Sequence, residues 1–121
     1  MDLQQGKRRA MNLSTEKRNG STILSVAEAR LDAHNSAELK DVILKLLEDG
    51  SRQIVVDLSQ VGFIDSSGLG ALLSGYKNAS LRSSGFLLAG LQPRVRSMFE
   101  LTRLTRVFEI YPTLEDALRG D

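Results

Sequence analysis

The run Ile54-Val55-Val56-Asp57-Leu58 constrains this chain most. It is too short for a helix of ordinary length, rich in β-branched residues, and apolar at successive positions, so both of its faces must be buried. Such a strand sits in the middle of a sheet with other layers packed above and below it. The flanking sequence supplies those layers. Leu39, Val42, Ile43, Leu46 and Leu47 recur at helical spacing and stop at Gly50. Asn35, with Glu38 three residues on, predicts a capping pair at the start of that helix. Downstream, Leu69, Leu72, Leu73 and Tyr76 follow the i, i+3, i+4, i+7 rule and predict a second helix from near Ser66. Phe86-Leu87-Leu88-Ala89 reads as another buried strand, and Pro93 opens a third helix carrying Val95, Met98, Phe99 and Thr102. Residues 107–111 read as a last strand, and Thr113 with Asp116 caps a short fourth helix. Ahead of all this, residues 21–27 read as a strand that pairs with 10–17 through the turn Arg18-Asn19-Gly20. Strand and helix alternate after the hairpin, which predicts an α/β domain with a mixed, mostly parallel sheet, an N-terminal hairpin and about four helices.

The chain of 121 residues suits one domain. Charge divides it: the first 20 residues hold Lys7, Arg8, Arg9, Lys17 and Arg18 against Asp2 and Glu16, whereas the remainder carries 11 basic and 13 acidic residues. Residues 1–9 therefore read as a basic tail and 10–121 as the folded domain. A nearly neutral body with 5% aromatic residues lacks the basic, stacking face of a nucleic-acid binder. No apolar run approaches a membrane span, and no signal-peptide core is present, so a soluble cytoplasmic protein is expected.

Candidate chemistry is sparse. With no cysteine and a single histidine, His34, neither a disulfide framework nor a histidine-rich metal site can be built. Gly68-Leu69-Gly70 begins like a dinucleotide fingerprint, but Leu73 stands where a small residue is needed. Gly70 and Gly75 have phosphate-loop spacing, yet Tyr76 replaces the required lysine. Ser66 or Ser67 as a hydrolytic nucleophile needs a general base, and there is no G-x-S-x-G elbow. Asp57 and Asp65 alone make neither a glycosidase pair nor a metal site. No catalytic, cofactor-binding or metal-ligating set emerges, and an enzyme is not expected. The run Ile64-Asp65-Ser66-Ser67-Gly68-Leu69-Gly70 nevertheless presents small polar residues where a helix begins. One reading is an accessible site; the other is that Asp65 or Ser66 merely caps the helix.

Residues 54–79, IVVDLSQVGFIDSSGLGALLSGYKNA, closely resemble the signature of anti-sigma-factor antagonists, single-domain bacterial members of the STAS family. Leu31-Asp32 ahead of a helix resembles an upstream block of that family, and Phe99-Glu100-Leu101-Thr102-Arg103-Leu104 with Val107-Phe108-Glu109 resembles its late helix and strand. About residues 10–119 are covered. Two positions depart: Ala29 stands where the family usually has glycine, and Arg30 where many members are acidic.

The resemblance implies a STAS-like single domain that takes part in partner switching. The unphosphorylated antagonist would bind an anti-sigma serine kinase of the GHKL type and free the sigma factor. Phosphorylation of Ser66, the first serine after Asp65, would switch binding off, and a PP2C-type phosphatase would restore it. Asp32, Asp65, Ser67, Gly68 and Leu69 would contribute to the partner-binding face, with no cofactor, membrane or nucleic acid required. The same family implies an alternative, a non-enzymatic docking subunit of a transport or signalling assembly.

Overall fold

The computed structural model describes residues 10–120. The basic tail expected at residues 1–9 lies outside them. Strands β1 (Leu13–Arg18) and β2 (Ser21–Val26) form an antiparallel hairpin in the register Arg18↔Ser21. Asn19 and Gly20 both have positive φ, 55° and 83°, the left-handed pair that a two-residue turn between right-twisted strands demands. β1 begins three residues later than the sequence suggests. It is an exposed edge of Ser14, Thr15, Glu16, Lys17 and Arg18, so its pattern carries little information about where pairing stops.

β3 (Arg30–Leu31) and α1 (Ser36–Glu48) come next, followed by β4 (Gln53–Asp57), β5 (Phe63–Ile64) and α2 (Ser66–Leu81). The chain closes with β6 (Gly85–Ala89), α3 (Pro93–Leu101), a 3-10 turn at Leu104–Arg106, β7 (Glu109–Tyr111) and α4 (Leu114–Arg119). The main sheet has the order β1-β2-β4-β6-β7, parallel from β2 onward, which places β4 at its centre as expected. Alternation along the strands sorts the core. Ile54, Val56, Phe86 and Leu88 pack with Leu39, Ile43, Leu72, Val95 and Phe99 from α1, α2 and α3. Val55, Leu87 and Ala89 point the other way and are covered by Ala117 of α4 with Leu114 and Leu118. Burying a Val, Leu or Ile side chain contributes about 1.5–3 kcal/mol, so this two-sided core fixes which residues of each strand face which helix.

Two of the three glycines of α2, Gly68 and Gly75, serve packing, while a Cβ on Gly70 would meet open space. A Cβ on Gly75 would lie 2.9 Å from Cζ of Phe86 and 3.1 Å from Cγ2 of Ile43, so glycine lets α2 approach both the sheet and α1. Phe108 locks the far side of this layer, edge-on to Tyr76 at 5.6 Å and to Phe99 at 5.5 Å between ring centroids.

Three further features depart from the sequence-based expectation. β3 and β5 pair with each other as a separate two-stranded parallel sheet. The last strand is only three residues long, because Arg103 adopts a left-handed conformation at φ 63° and the chain then winds through the 3-10 turn. The Asn35 and Glu38 capping pair does not form: the Asn35 side chain makes no cap hydrogen bond, and both Glu38 carboxylate oxygens accept the Met11 N–H at 3.1 Å. The helix is where the periodicity puts it, but tertiary partners have taken its capping side chains.

Candidate functional site

The small β3–β5 sheet brings two loops of the chain together. Arg30 faces Phe63 and Leu31 faces Ile64 in register. The Gly62 and Phe63 N–H groups donate to the Ala29 carbonyl at 2.8 and 3.2 Å, and the Asp65 N–H donates to the Leu31 carbonyl at 3.2 Å. The segment after Leu31 therefore lies against the beginning of α2. Gly68 makes this approach possible, since a Cβ there would stand 2.6 Å from the Leu31 carbonyl oxygen and 2.7 Å from Cγ1 of Ile64. No side chain fits in that space.

Asp65 is the N-cap of α2. Its backbone is extended, and Oδ1 accepts from the Ser67 N–H at 2.9 Å and the Gly68 N–H at 3.1 Å. Two of the four N–H groups that a helix start leaves unpaired are thus satisfied by one carboxylate, which also suits the positive end of the helix dipole. Capping and accessibility, rival readings of this segment in sequence, coexist. Because Asp65 does the capping, Ser66 is free to be the exposed first helical residue. No hydrogen bond holds its hydroxyl among the described residues. Ser67 is half-buried, Gly68 is buried, and Leu69 is only 6% exposed. Of the residues expected on the partner face, Gly68 and Leu69 are thus the buried ones. The first packs backbone against backbone and the second belongs to the core, and what remains accessible is Asp65, Ser66 and part of Ser67.

Asp32 arrives beside this turn in a tightly bonded loop. Its Oδ1 accepts from the His34 N–H at 3.0 Å and its Oδ2 from Nε of Arg30 at 3.3 Å. The side chain is 15% exposed. The His34 N–H, and secondarily Arg30, hold the Asp32 carboxyl below its ordinary pKa by stabilising the ionised form. Asn35 fixes the loop, accepting from the Asp32 N–H at 3.0 Å and donating Nδ2 to the Arg30 carbonyl at 2.9 Å. The arrangement explains why Asn35 is absent from the helix cap.

Arg30 completes the cluster. Its guanidinium lies 4.1 Å from the centroid of the Phe63 ring while Nε pairs with Asp32. Sequence reasoning noticed Arg30 only as an unusual residue. The stack depends on the two-residue pairing of β3 with β5, which leaves no periodic signal.

The remaining candidates fall elsewhere. His34 has 95% of its side chain exposed, with Nδ1 3.5 Å from Asp32, and no described hydrogen bond joins it to Ser66. Asp57 closes β4 by accepting the Ser59 N–H at 3.0 Å. Among the described residues no group of three or more His, Asp or Glu side chains is placed to hold a metal ion, and no helix is long and apolar enough to cross a membrane.

A family profile described as STAS domain matches residues 12–117. An anti-sigma-B factor antagonist of Listeria monocytogenes serovar 1/2a (strain ATCC BAA-679 / EGD-e) is 29% identical over 113 residues, 92% of this chain and 98% of that protein. Another of the same description, from Staphylococcus aureus (strain NCTC 8325 / PS 47), is 29% identical over 101 residues, 83% of this chain and 94% of that protein. Among solved structures, an anti-sigma factor antagonist from Mycobacterium paratuberculosis superposes with a TM-score of 0.83 at 31% identity, covering 92% of this chain and 93% of that one.

Proposed function

Because the chain belongs to the STAS domain family, we propose that it is an anti-sigma-factor antagonist whose unphosphorylated form binds an anti-sigma serine kinase of the GHKL type in the cytoplasm and thereby frees a sigma factor. Phosphorylation of Ser66 ends that binding, and a PP2C-type phosphatase restores it. Similarity to antagonists along nearly their whole length supports the role. The observation that carries the choice of residue is the exposed Ser66 hydroxyl, displayed at the first position of a helix already capped by its neighbour.

In the reaction, the Ser66 oxygen takes the γ-phosphoryl group of ATP, the hydroxyl proton is lost and ADP leaves. The kinase brings ATP and Mg²⁺; this chain supplies the acceptor. Asp65 and Ser67 adjoin Ser66 in sequence, and with Asp32, Gly68 and Leu69 they form the face that meets the kinase. A phosphate at this place meets the start of a helix dipole, which favours an anion by roughly 0.3–1 kcal/mol, so the fold tolerates it. The complex does not. A kinase surface fitted to a neutral serine would have to bury a group of about −1.5 to −2 charge, and burying an unpaired charge costs several kcal/mol. About 1.4 kcal/mol already weakens binding tenfold.

The test is to incubate the purified chain with its GHKL-type kinase and ATP, then locate phosphate by mass spectrometry. Incorporation at Ser66, lost in Ser66→Ala while that variant still binds the kinase, is the expected result. Incorporation at Ser67 overturns the choice of acceptor. Absence of any incorporation overturns the switch and favours the docking-subunit reading.

A further inference from the structure

We propose that Arg30 is a phosphate-binding residue that leaves Asp32 and pairs with phosphorylated Ser66. The inference rests on Ser66 being the modified residue and adds a second moving part to that site.

The Arg30 side chain is held in place by two weak contacts and nothing stronger. One is a single Nε–Oδ2 pairing with Asp32 at 3.3 Å, and the other is the face of Phe63. The side chain is 61% exposed, and its terminal Nη groups have no acceptor among the described residues. An exposed ion pair of this kind is worth about 0–1 kcal/mol, so it yields readily to a better anion. Phosphate is that anion, because its oxygens match the planar guanidinium fork and carry more charge than a carboxylate.

The register permits the exchange. Arg30 is in register with Phe63, and Ser66 stands three residues further along, at most about 10 Å of extended chain. The Asp65 N–H bonded to the Leu31 carbonyl keeps the two segments side by side up to the helix start. An arginine and a phosphoserine reaching toward each other span this gap, and the Phe63 ring provides a flat surface along which the guanidinium can slide.

The local charges favour a cation at this place. Asp65, next to Ser66 in sequence, caps the helix with its carboxylate, and the Asp32 carboxylate lies in the loop that follows β3, so the new phosphate adds to negative charge already present. His34 is the other titratable group nearby, and it lies on the solvent side of Asp32. Arg30 is the one permanent cation in residues 29–36 and 61–70; α3, which packs on β5, carries Arg94 and Arg96. The departure of Arg30 leaves Asp32 Oδ2 without its partner, so one modification alters the surface at both Ser66 and Asp32.

The experiment installs phosphoserine at position 66 during translation and follows the second phosphate ionisation by phosphorus NMR. Arg30→Ala should raise that pKa by about 0.5, Arg30→Lys should recover part of the shift, and added salt should shrink it. Arg52→Ala is the control. It removes an exposed arginine at the opposite end of the sheet, where the Arg52 carbonyl accepts the Gly85 N–H, and should leave the value unchanged. If Arg30→Ala and Arg52→Ala titrate alike, the proposal is overturned. Because no kinase is used, that failure is separate from failure of the switch: phosphate incorporated at Ser66 by the kinase, with no Arg30 effect, removes only the role of Arg30.

Discussion

Helices α1 and α2 both begin beside β3, and each is preceded by a residue type that ordinarily caps helices, yet their first turns are held in different ways. At α2, Asp65 turns back on its own helix and accepts two of its N–H groups. At α1, Asn35 turns outward to the β3 loop, bonding the Asp32 N–H and the Arg30 carbonyl, and Glu38 reaches across to Met11. The first start is self-contained and leaves its next residue, Ser66, uncommitted. The second uses its side chains as struts for the loop that carries Asp32. A residue's capping propensity states what its side chain can do; the tertiary neighbours decide which backbone receives it.

The largest expected effect comes from Gly68→Ala. In an open helix this change gains about 1 kcal/mol of propensity, but here the new Cβ would press on the Leu31 carbonyl, a backbone atom that cannot swing aside. The net result should be destabilisation of about 2 kcal/mol in urea unfolding. A variant as stable as the parent would show that α2 does not need its close approach to β3.

Swapping the two cap residues sharpens the contrast. Asp65→Asn keeps an acceptor for Ser67 and Gly68 and should cost about 0.5 kcal/mol or less. Asn35→Asp replaces the Nδ2 donor by an oxygen facing the Arg30 carbonyl and should cost about 1 kcal/mol. Equal costs, measured by the same unfolding, would mean that both residues act as ordinary caps.

The smallest effect is electrostatic. Asp32 has a folded-state pKa below its ordinary value of 3.8, with the His34 N–H as the main cause. The folded state therefore prefers the ionised form, and its contribution is present above pH 3.8 and disappears as pH falls through the lowered value. Comparing the chain with Asp32→Asn across acid pH should show a stability difference that narrows in that range. A difference that stays constant would remove Asp32 from the charge balance of the loop.

The elements with strong periodicity were legible in the sequence. The central strand, the three long amphipathic helices, the Asn19-Gly20 turn and the Thr113 cap, whose Oγ1 accepts the Asp116 N–H at 3.1 Å, stand where pattern and chemistry put them. The helix start at Ser66 and a cap from Asp65 were also readable, because those bonds are made between neighbours in sequence. The β3–β5 pairing was not. Two residues per strand give no alternation to detect, and the partners are separated by more than thirty positions. What it creates was hidden with it: Arg30 on Phe63, Asn35 drawn off its helix, and Gly68 pressed against the Leu31 carbonyl.

The edges of the main sheet bear on how such a molecule behaves when crowded. β1 offers a hairpin arm of exposed hydroxyl and charged side chains, and β7 is three residues long. Neither presents the flat apolar border on which a further strand is readily added, so edge-to-edge growth is opposed at both ends.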